Sequence, residues 1–379
     1  MAEVSLRPLK GGLRLGGRGK FLIPGLIDTH THLGQVPGTQ LAQRAAQPDI
    51  VARAEAQEPR SYLYFGFTTV LSLGDTAPPV ARWNAVAVRP DAYFCGATPM
   101  VDGYAFQGFG GSPYFLFNAE QAETLPASVD KAQHTAEALV QQMSRDGAVC
   151  VKSYRESGFG RDAGRLPVPS VDTIRALVAA AHTRGMPVFL HANSMAAQQC
   201  AVEAGVDVIA HGMWNGHRST PGVLDEGVEP ILQEIVKRGI ACQPTAQVIR
   251  GLAAELDDRF LADPLPQRVY PPELLAWYRS PEGSWFRDQE LGGTPASVFE
   301  RIGAAGDAVT AYLARSRARL LFGTDTPNEP VYANPPGRAH LLVLRADPLD
   351  DVEAYNTIET VFLAGKAIPR ETLAAAPRS

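Results

Sequence analysis

The stretch FLIPGLIDTHTHL, residues 21–33, joins an apolar run to two histidines spaced His-x-His, at His30 and His32. On a β-strand, residues i and i+2 point to the same face, so both imidazoles leave the strand end side by side. Two neutral imidazole nitrogens held together are a common start for a Zn²⁺ site. The stretch therefore predicts part of a metal centre at the end of a buried strand.

The composition is that of an ordinary globular protein, long enough for one large barrel with an accessory piece. Hydrophobic residues make up 45% and charged residues 20% of the 379 residues, and the formal net charge is −5. This charge gives no basic signal, so we expect no nucleic-acid partner. No apolar run reaches the length of a membrane span, and residues 1–10 lack an apolar signal core. We therefore expect a cytoplasmic protein without a membrane partner.

The four cysteines lie far apart and form no C-x-x-C pair. They are Cys95, Cys150, Cys200 and Cys242, and three of them fall within apolar strand-like runs. This pattern favours small buried residues over disulfides or metal ligands.

Short apolar runs typical of strands alternate with helical patterns along the chain. The eight strand-like runs cover residues 22–32, 68–73, 91–97, 148–154, 187–192, 207–212, 240–246 and 319–325. Three segments between them have apolar residues three and four apart and stop at a glycine, which is typical of helices: 171–184, 194–205 and 228–239. Eight buried strands separated by helices predict an α/β fold with a parallel (β/α)8 barrel.

Candidate metal ligands recur at the carboxyl ends of these strands, where the chemistry of such barrels is located. Beyond His30 and His32 on the first strand, they are Lys152 on the fourth, His191 on the fifth, His211 on the sixth and Asp325 on the eighth. We therefore expect these six side chains to converge in one pocket.

Five segments, in this order and on these strands, resemble the signature segments of the amidohydrolase superfamily, in its imidazolonepropionase-like and prolidase-like branch. They are PGLIDTHTHL (24–33), the strand of Lys152, LHANS (190–194), IAHG (209–212) and FGTDT (322–326). The resemblance implies a (β/α)8 TIM barrel over residues 23–337. It also implies a small β-sandwich formed by residues 1–22 and 338–379.

The resemblance further implies two divalent metal ions, with zinc favoured although iron, manganese or cobalt also fit such ligands. The more buried ion would be held by His30, His32 and Asp325. The second ion would be held by His191 and His211. Lys152 would bridge the ions as a carbamate formed with carbon dioxide, because a lysine with its ordinary pKa of about 10.4 is an ammonium and cannot ligate a cation. The alternative is a salt-bridging Lys152 beside a single ion.

The same resemblance implies a mechanism of hydrolysis. A metal-bound water with its pKa lowered to about 7 would supply hydroxide. The second ion, or His211, would polarise the scissile carbonyl. Asp325 would take the proton from the water and pass it to the leaving nitrogen. An alternative role for Asp325 is a helix N-cap, since Asp-Thr-Pro is also typical of a strand-to-helix turn.

Substrate-binding residues are expected just beyond the ligands. Tyr154 and Arg155 follow Lys152 and could reach a substrate carboxylate, which an arginine binds in bidentate fashion. Tyr154 shares the Lys152 side of the strand, whereas Arg155 does so only if the strand has already ended.

The mouth of the expected pocket has further candidates. Trp214 follows the sixth strand, with Asn215 and His217 close behind, and these side chains could line the mouth. Asn193 stands where many relatives are expected to have a histidine. That departure prevents the specificity of any one relative from being transferred directly.

Three segments outside the motifs also affect the prediction. Residues 100–126 and 252–295 are rich in aromatic residues, and in glycine or proline; as long irregular loops they would form an apolar pocket or lid, or oligomer contacts. Residues 326–339 contain four prolines and cannot form a final barrel helix of normal length. We therefore expect a break in the chain near Gly337–Arg338, or else a barrel face that another element must cover.

Three functions are compatible with these observations. The first is hydrolysis of a C–N bond in a small-molecule substrate, such as a dipeptide, an N-acyl amino acid or a cyclic amide. The second is hydrolysis of an ester, a lactone or a phosphoester by the same binuclear site, since fold alone does not fix chemistry. The third is a non-catalytic relative that keeps the fold. A homo-oligomer is expected in each case.

Overall fold

The computed structural model describes residues 17–104, 112–158, 164–214, 223–256, 259–285, 287–288, 291, 294–326, 342–347, 349–363 and 366–375. Its strands are Phe21–Ile23 (β1), Leu26–Thr31 (β2), Phe67–Leu73 (β3), Asp91–Thr98 (β4), Cys150–Tyr154 (β5), Val188–His191 (β6), Val208–Ala210 (β7), Ala241–Gln243 (β8), Leu342–Leu344 (β9), Ile358–Leu363 (β10) and Lys366–Pro369 (β11). Strands β2 to β8 form a parallel sheet in chain order, and β1, β9, β10 and β11 form a second, antiparallel sheet.

Residues 319–326 complete the barrel as an irregular eighth strand. On one side, the N–H of Cys242 in β8 donates to the carbonyl oxygen of Arg319 at 2.8 Å. On the other side, the N–H of Asp325 donates to the carbonyl oxygen of His30 in β2, also at 2.8 Å. Since this segment bonds to both edges of the parallel sheet, the predicted (β/α)8 barrel is confirmed.

The helices fall between the strands, as the alternation of patterns predicts. Their bounds are Leu41–Ala46 (α1), Pro48–Tyr64 (α2), Ala77–Asn84 (α3), Ala119–Thr124 (α4), Ala136–Arg145 (α5), Val171–His182 (α6), Met195–Ala204 (α7), Val228–Arg238 (α8), Ala246–Leu256 (α9), Arg259–Ala262 (α10), Pro266–Val269 (α11), Pro272–Tyr278 (α12) and Ala296–Arg315 (α13). None of the helices in the described ranges is long and apolar enough to cross a membrane.

The three helices predicted from spacing are present, and their ends have local causes. The side chains of Ser170 and Ser194 cap α6 and α7 by accepting hydrogen bonds from backbone N–H groups in the first turn. Gly205 and Gly239 end α7 and α8 with φ values of 77° and 68°, a conformation that glycine adopts without a steric penalty.

The prediction of a long irregular segment over residues 252–295 is wrong. Residues 252–278 are mostly helical, from the end of α9 through α12. Pro266 and Pro272 stand at the first positions of α11 and α12, where proline is favoured because no intrahelical N–H bond is needed. The segment 100–126 likewise contains α4, while its residues 105–111 lie outside the described part of the chain.

The prediction of unpaired cysteines is wrong for one pair. Cys95 of β4 and Cys150 of β5 are direct neighbours in the sheet register, with Cα atoms 4.4 Å apart, and form a disulfide. Their separation of 55 residues conceals this contact in the sequence. Cys200 and Cys242 are buried and free, as predicted.

The disulfide belongs to an apolar layer inside the barrel, to which six consecutive strands contribute. The buried members are Leu73, Cys95, Cys150, Phe189, Val208 and Ala241. Because side chains on one face of a strand recur every two residues, Lys152 and His191 lie one step beyond this layer, towards the carboxyl ends. The layer therefore forms the floor of the candidate site.

The second sheet joins the two ends of the chain, in the order β1-β9-β10-β11. Phe21 of β1 pairs with Leu344 of β9, which brings an N-terminal strand beside the C-terminal ones, as the family resemblance implies. The boundaries 1–22, 23–337 and 338–379 stay predictions, because they fall partly outside the described residues.

Part of the outer barrel face is uncovered beside the eighth strand. Leu321 packs on the interior layer, whereas its neighbours Leu320 and Phe322 are 37% and 53% exposed. Ile27 on the adjacent β2 is 51% exposed. The chain break expected near Gly337–Arg338 lies outside the described residues.

Candidate metal centre

The carboxyl ends of the barrel strands bring the six predicted ligands together. Asp325 is central: its Oδ1 lies 3.2 Å from Nε2 of His30 and 2.7 Å from Nε2 of His32, and its Oδ2 lies 3.8 Å from Nδ1 of His211. The rings of His211 and His191 are 4.3 Å apart. Potential ligand atoms of His30, His211 and Asp325 all lie within 4.8 Å of one another.

Lys152 lies in the same cluster, where its charge contributes to lowering the pKa of His30, His191 and His211. It is 1% exposed, and its Nζ has no hydrogen-bond partner among the described residues. No carboxylate of the described ranges lies within 4 Å of it, so the structure does not support the alternative of a salt-bridging lysine.

Asp28 holds the first and eighth strands in register next to the ligands. Its Oδ1 accepts hydrogen bonds from the backbone N–H groups of His30 and Thr324, both at 3.1 Å, and its Oδ2 accepts from the Thr324 hydroxyl at 2.5 Å. Gly323 makes this approach possible, because a Cβ added there would lie 2.6 Å from Cβ of His30. These contacts fix the position of His30 against Asp325.

Backbone strain is concentrated at the same place. His211, Thr245 and Asp325 have φ values of 79°, 41° and 62°, in the left-handed region that non-glycine residues rarely adopt. Such conformations cost free energy and cluster at functional sites, where the surrounding structure enforces them. Here they turn three consecutive strand ends towards one point.

Thr245 is a site residue that the sequence reasoning missed. Its Oγ1 lies 2.8 Å from Nδ1 of His211, and the residue is buried. When Thr245 Oγ1 accepts this hydrogen bond from the Nδ1–H of His211, the lone pair of Nε2 is left free for a metal. The signal in the sequence was the polar residue at the end of the seventh strand-like run.

The protonation states suit a cation. Burial lowers the pKa of His30 to about 3, lowers that of His191, and takes that of His211 well below its ordinary value. Burial also lowers the pKa of Lys152 to about 7, against the opposing charge of Asp325. Burial alone would raise the pKa of Asp325. The charges of His30 and His32 and their hydrogen bonds to the carboxylate have a larger effect and hold that pKa well below its ordinary value.

At neutral pH the site therefore holds a buried carboxylate among neutral donors. Nδ1 of His30 and Nε2 of His191 are buried and have no hydrogen-bond partner within the described residues. A buried negative charge surrounded by unused lone pairs is stabilised by a bound cation, and imidazole, carboxylate and amine-derived ligands fit zinc and similar ions. The residues present thus fit a metal centre.

Glu156 and Tyr104 also belong to the site; Glu156 was not predicted, whereas Tyr104 lies in the segment 100–126 that was expected to form an apolar pocket or lid. Oε2 of Glu156 lies 3.6 Å from Nε2 of His191, and the carboxylate is 3% exposed. The ring of Tyr104 lies 4.5 Å from that of His191. Glu156 follows Tyr154 by two residues, so strand alternation could have revealed it.

The predicted substrate-binding residues divide into two groups. Tyr154 and Trp214 lie at the site, with ring centroids 6.0 Å from His191 and 5.2 Å from His211 respectively. Arg155 does not: its guanidinium donates to the carbonyl oxygen of Pro169, beside the start of α6. Because β5 is extended up to Tyr154, alternation turns Arg155 to the opposite face. Asn215 and His217 lie outside the described residues.

Comparisons with known proteins agree with this geometry. Residues 21–233 match the amidohydrolase family. An uncharacterized protein of Mycobacterium bovis is 25% identical over 246 residues, which are 64% of this chain and 55% of that protein, and one of Mycobacterium tuberculosis matches equally. The chain thus spans about half the length of the curated relatives it matches.

Three solved structures share the fold. A Xaa-Pro dipeptidase with bound methionine is 18% identical, with a TM-score of 0.56 over 93% of this chain and 87% of that one. A prolidase complexed with N-methylphosphonate-L-proline is 20% identical, with a TM-score of 0.61 over 97% and 92%. The ochratoxinase of A. niger is 17% identical, with a TM-score of 0.58 over 91% and 83%. At these identities the likeness concerns the fold alone.

Proposed function

Because this chain belongs to the amidohydrolase family, we propose that it is a metal-dependent hydrolase that cleaves a C–N bond of a small-molecule substrate. The observation that carries the proposal is the convergence of buried imidazoles on the ionised carboxylate of Asp325, with several ligand atoms unused. No role in packing requires such a set at the carboxyl ends of four different strands.

Two divalent ions are proposed, with zinc favoured by the imidazole and carboxylate donors. His30, His32 and Asp325 would hold one ion, and His191 and His211 the other. When bound, such ions lower the pKa of water towards neutrality and polarise a carbonyl oxygen. Thr245 prepares His211 for this role by fixing its tautomer.

Lys152 is proposed to become the bridging ligand as a carbamate. Its pKa of about 7 leaves much of the amine neutral at physiological pH. The amine lone pair can then attack the carbon of carbon dioxide, forming an N–C bond and releasing one proton. The product is an anion with two oxygens, able to contact two cations at once. Nζ has no hydrogen-bond partner among the described residues, so its lone pair is available for this reaction.

Asp325 is proposed to move the proton of the reaction. It is ionised, and its Oδ1 is oriented by His30 and His32 at 3.2 and 2.7 Å. A carboxylate in this position can accept a proton from the attacking water and donate it to the leaving nitrogen. The left-handed φ of 62° aims it inwards, which also argues against a simple helix cap.

The substrate is proposed to be a dipeptide, an N-acyl amino acid or a cyclic amide. Tyr104, Tyr154 and Trp214 surround the imidazoles and give the pocket aromatic walls, which are suited to the apolar part of such molecules. The solved structures of a dipeptidase and of a prolidase complex support this choice by their shared fold.

The test combines metal analysis with a substrate panel. Purified protein reconstituted with zinc and bicarbonate is expected to bind two ions per chain and to hydrolyse members of a panel of dipeptides, N-acyl amino acids and cyclic amides. His191→Ala should lose metal, whereas His182→Ala should not, because His182 is 48% exposed and pairs with Asp207. Hydrolysis of lactones or phosphotriesters alone would replace the proposed bond type, and failure to bind metal would overturn the proposal.

A further inference from the structure

The side chains around β6 alternate between two environments, and this places Asn193. Leu190 and Ala192 pack in the outer core between the sheet and the helices. Phe189 packs in the barrel interior, and His191 joins the imidazole cluster. Asn193 is the next residue of the inward row, directly beyond His191.

Asn193 is fully buried and its amide is unused. The residue is 0% exposed, and neither Oδ1 nor Nδ2 has a hydrogen-bond partner among the described residues. Buried polar groups in folded proteins nearly always have a partner, because an unsatisfied amide destabilises the fold. Because the Asn193 amide makes no hydrogen bond in the unliganded protein, we expect it to form its hydrogen bonds with a bound molecule.

The surroundings point to the substrate as that molecule. The N–H of Trp214 donates to the backbone carbonyl of Asn193 at 2.7 Å, which holds Asn193 beside the aromatic wall. The Trp214 ring lies 5.2 Å from that of His211. Asn193 thus lies next to a candidate ligand, His191, and bonds to the aromatic residue Trp214, where the part of a substrate next to the scissile bond would lie.

We propose that Asn193 is a specificity-determining residue that recognises a primary carboxamide or a cyclic cis-amide adjacent to the scissile bond, since in these groups the C=O and an N–H lie on the same side. Nδ2 donates to the carbonyl oxygen of that amide, and Oδ1 accepts from its N–H, since an asparagine side chain offers one donor group and one acceptor side by side. This inference rests on the proposed hydrolase function and narrows its substrates to those that carry a second amide of this kind, such as dipeptide amides, N-acyl amino acid amides and cyclic dipeptides, which are added to the panel.

The first experiment compares Asn193→Leu with a matched control. Leucine has nearly the same volume but no hydrogen-bonding groups, so Asn193→Leu should keep or raise the melting temperature, because it removes an unsatisfied amide. It should lower kcat/KM about tenfold or more on the best substrate that carries a second amide, and leave kcat/KM unchanged on substrates without one. Metal content is measured in parallel, since His191 is only two residues away, and it should not change.

Gln198 supplies the control, because it is a buried amide whose hydrogen bond is already made. It is 3% exposed and its Nε2 donates to the carbonyl oxygen of Ala192 at 3.0 Å. Gln198→Leu should lower the melting temperature and leave KM unchanged. Asn193→Leu should thus impair substrate recognition without loss of stability, whereas Gln198→Leu should lower stability without affecting KM.

The second experiment tests the contact itself. A substrate with a primary carboxamide is compared with its N,N-dimethyl analogue, which keeps the carbonyl oxygen but lacks the N–H donor. The wild type should prefer the carboxamide about fivefold or more, and Asn193→Leu should show little preference. The loss of preference in the variant separates a lost hydrogen bond from a general disturbance of the pocket.

The outcomes distinguish this inference from the proposed function. A wild type that binds metal and hydrolyses amides, together with an Asn193→Leu variant of unchanged kcat/KM and unchanged preference, would overturn the role of Asn193 alone. Equal preference in wild type and variant would do the same. A wild type that hydrolyses no amide of the panel would instead remove the proposed function on which the inference rests.

Discussion

Lys152 is a buried amine in a site whose other members are imidazoles and one carboxylate. Its environment has two effects on its chemistry. Burial lowers its pKa to about 7, which makes the amine reactive near neutral pH. The absence of a partner for Nζ among the described residues leaves it available for reaction. Asp325 has the opposite character, because nearby histidines keep it ionised although it is 4% exposed.

The pKa of Lys152 predicts that metal loading depends on pH and bicarbonate. Carbamate formation needs the neutral amine, so the share of chains able to react rises as pH increases through about 7. Apoprotein reconstituted with zinc and bicarbonate should therefore bind more metal at pH 8 than at pH 6, approaching two ions. Lys152→Ala should bind about one ion per chain at both pH values.

The exposed Lys237, with a side chain 73% accessible, provides the control Lys237→Ala. Loading independent of bicarbonate in the wild type would contradict the bridge.

Asp325→Asn is expected to cut turnover by about 10²-fold or more while leaving the fold intact, because the exchange is nearly isosteric but removes the proton acceptor. Turnover is measured with zinc at saturating concentration, so that weaker metal binding does not enter the comparison. Circular dichroism and the melting temperature check the fold. Near-native turnover under these conditions would reduce Asp325 to a structural role.

At the scale of the elements, the ends and edges of the strands decide what the site can do. The seventh barrel strand, β8, delivers Thr245 in a left-handed conformation beside His211 of the sixth strand. The fourth and third barrel strands, β5 and β4, are linked below Lys152 by the disulfide Cys95–Cys150. Each contact joins residues of neighbouring strands that are far apart in the sequence. The site therefore depends on the register of the sheet.

Thr245→Val should weaken metal binding without breaking the barrel. Valine keeps the β-branched shape but cannot accept the hydrogen bond from His211 that fixes its tautomer. Loss of such a supporting bond typically lowers metal affinity about 10- to 100-fold. Competition with a zinc chelator measures this affinity, and Thr245→Ser, which restores the hydroxyl, should recover most of it. Equal affinities for all three proteins would show that Thr245 does not support His211.

Reduction of the disulfide should lower the free energy of unfolding. A cross-link that closes a loop of 55 residues restricts the unfolded chain and typically contributes about 2–4 kcal/mol. Urea unfolding with and without reductant measures the difference. The variant Cys95→Ala should be less stable and insensitive to reductant, whereas Cys200→Ala should respond to reductant as the wild type does, because Cys200 is a free thiol. A wild type unaffected by reductant would rule out the cross-link.

At the scale of the whole molecule, the barrel has one face that its described elements leave open. Leu320 and Phe322 on the eighth strand, together with Ile27 on β2, expose apolar side chains. The predicted homo-oligomer would offer a cover for this face, since larger apolar patches are commonly buried in subunit contacts. The cytoplasmic location also stays a prediction, and a disulfide is more usual in oxidising compartments.

Phe322→Ser tests whether the predicted oligomer uses this face. Phe322 is 53% exposed and its ring stacks on that of the buried Phe67, with centroids 5.4 Å apart, so the change removes apolar contact area on the surface and circular dichroism checks that the interior is kept. Light scattering coupled to gel filtration should show an oligomeric wild type and a shift of Phe322→Ser towards monomer. Leu349→Ser is the control, because Leu349 is 93% exposed and lies outside the barrel. A monomeric wild type, or equal masses for all three proteins, would contradict the prediction.

Local patterns in the sequence were sufficient to predict the barrel and the strand ends at which the candidate ligands lie. Strand-length apolar runs, the glycines that end helices and the polar residues at strand ends are all local features of the sequence. They place the six candidate ligands at strand ends: His30, His32, Lys152, His191, His211 and Asp325. The helices within residues 252–295 are not evident from the sequence, because proline begins α11 and α12 and is also typical of loops.

Only the tertiary structure decided which side chains meet. The Cys95–Cys150 disulfide, the bond from His211 to Thr245 and the approach of Glu156 to His191 depend on strand register and on left-handed backbone turns. The outward turn of Arg155 depends on where β5 ends. The unused amide of Asn193 is likewise invisible in the sequence, because a lack of partners is a property of the packed interior. Contacts between residues far apart in the chain are set by packing, which no local pattern encodes.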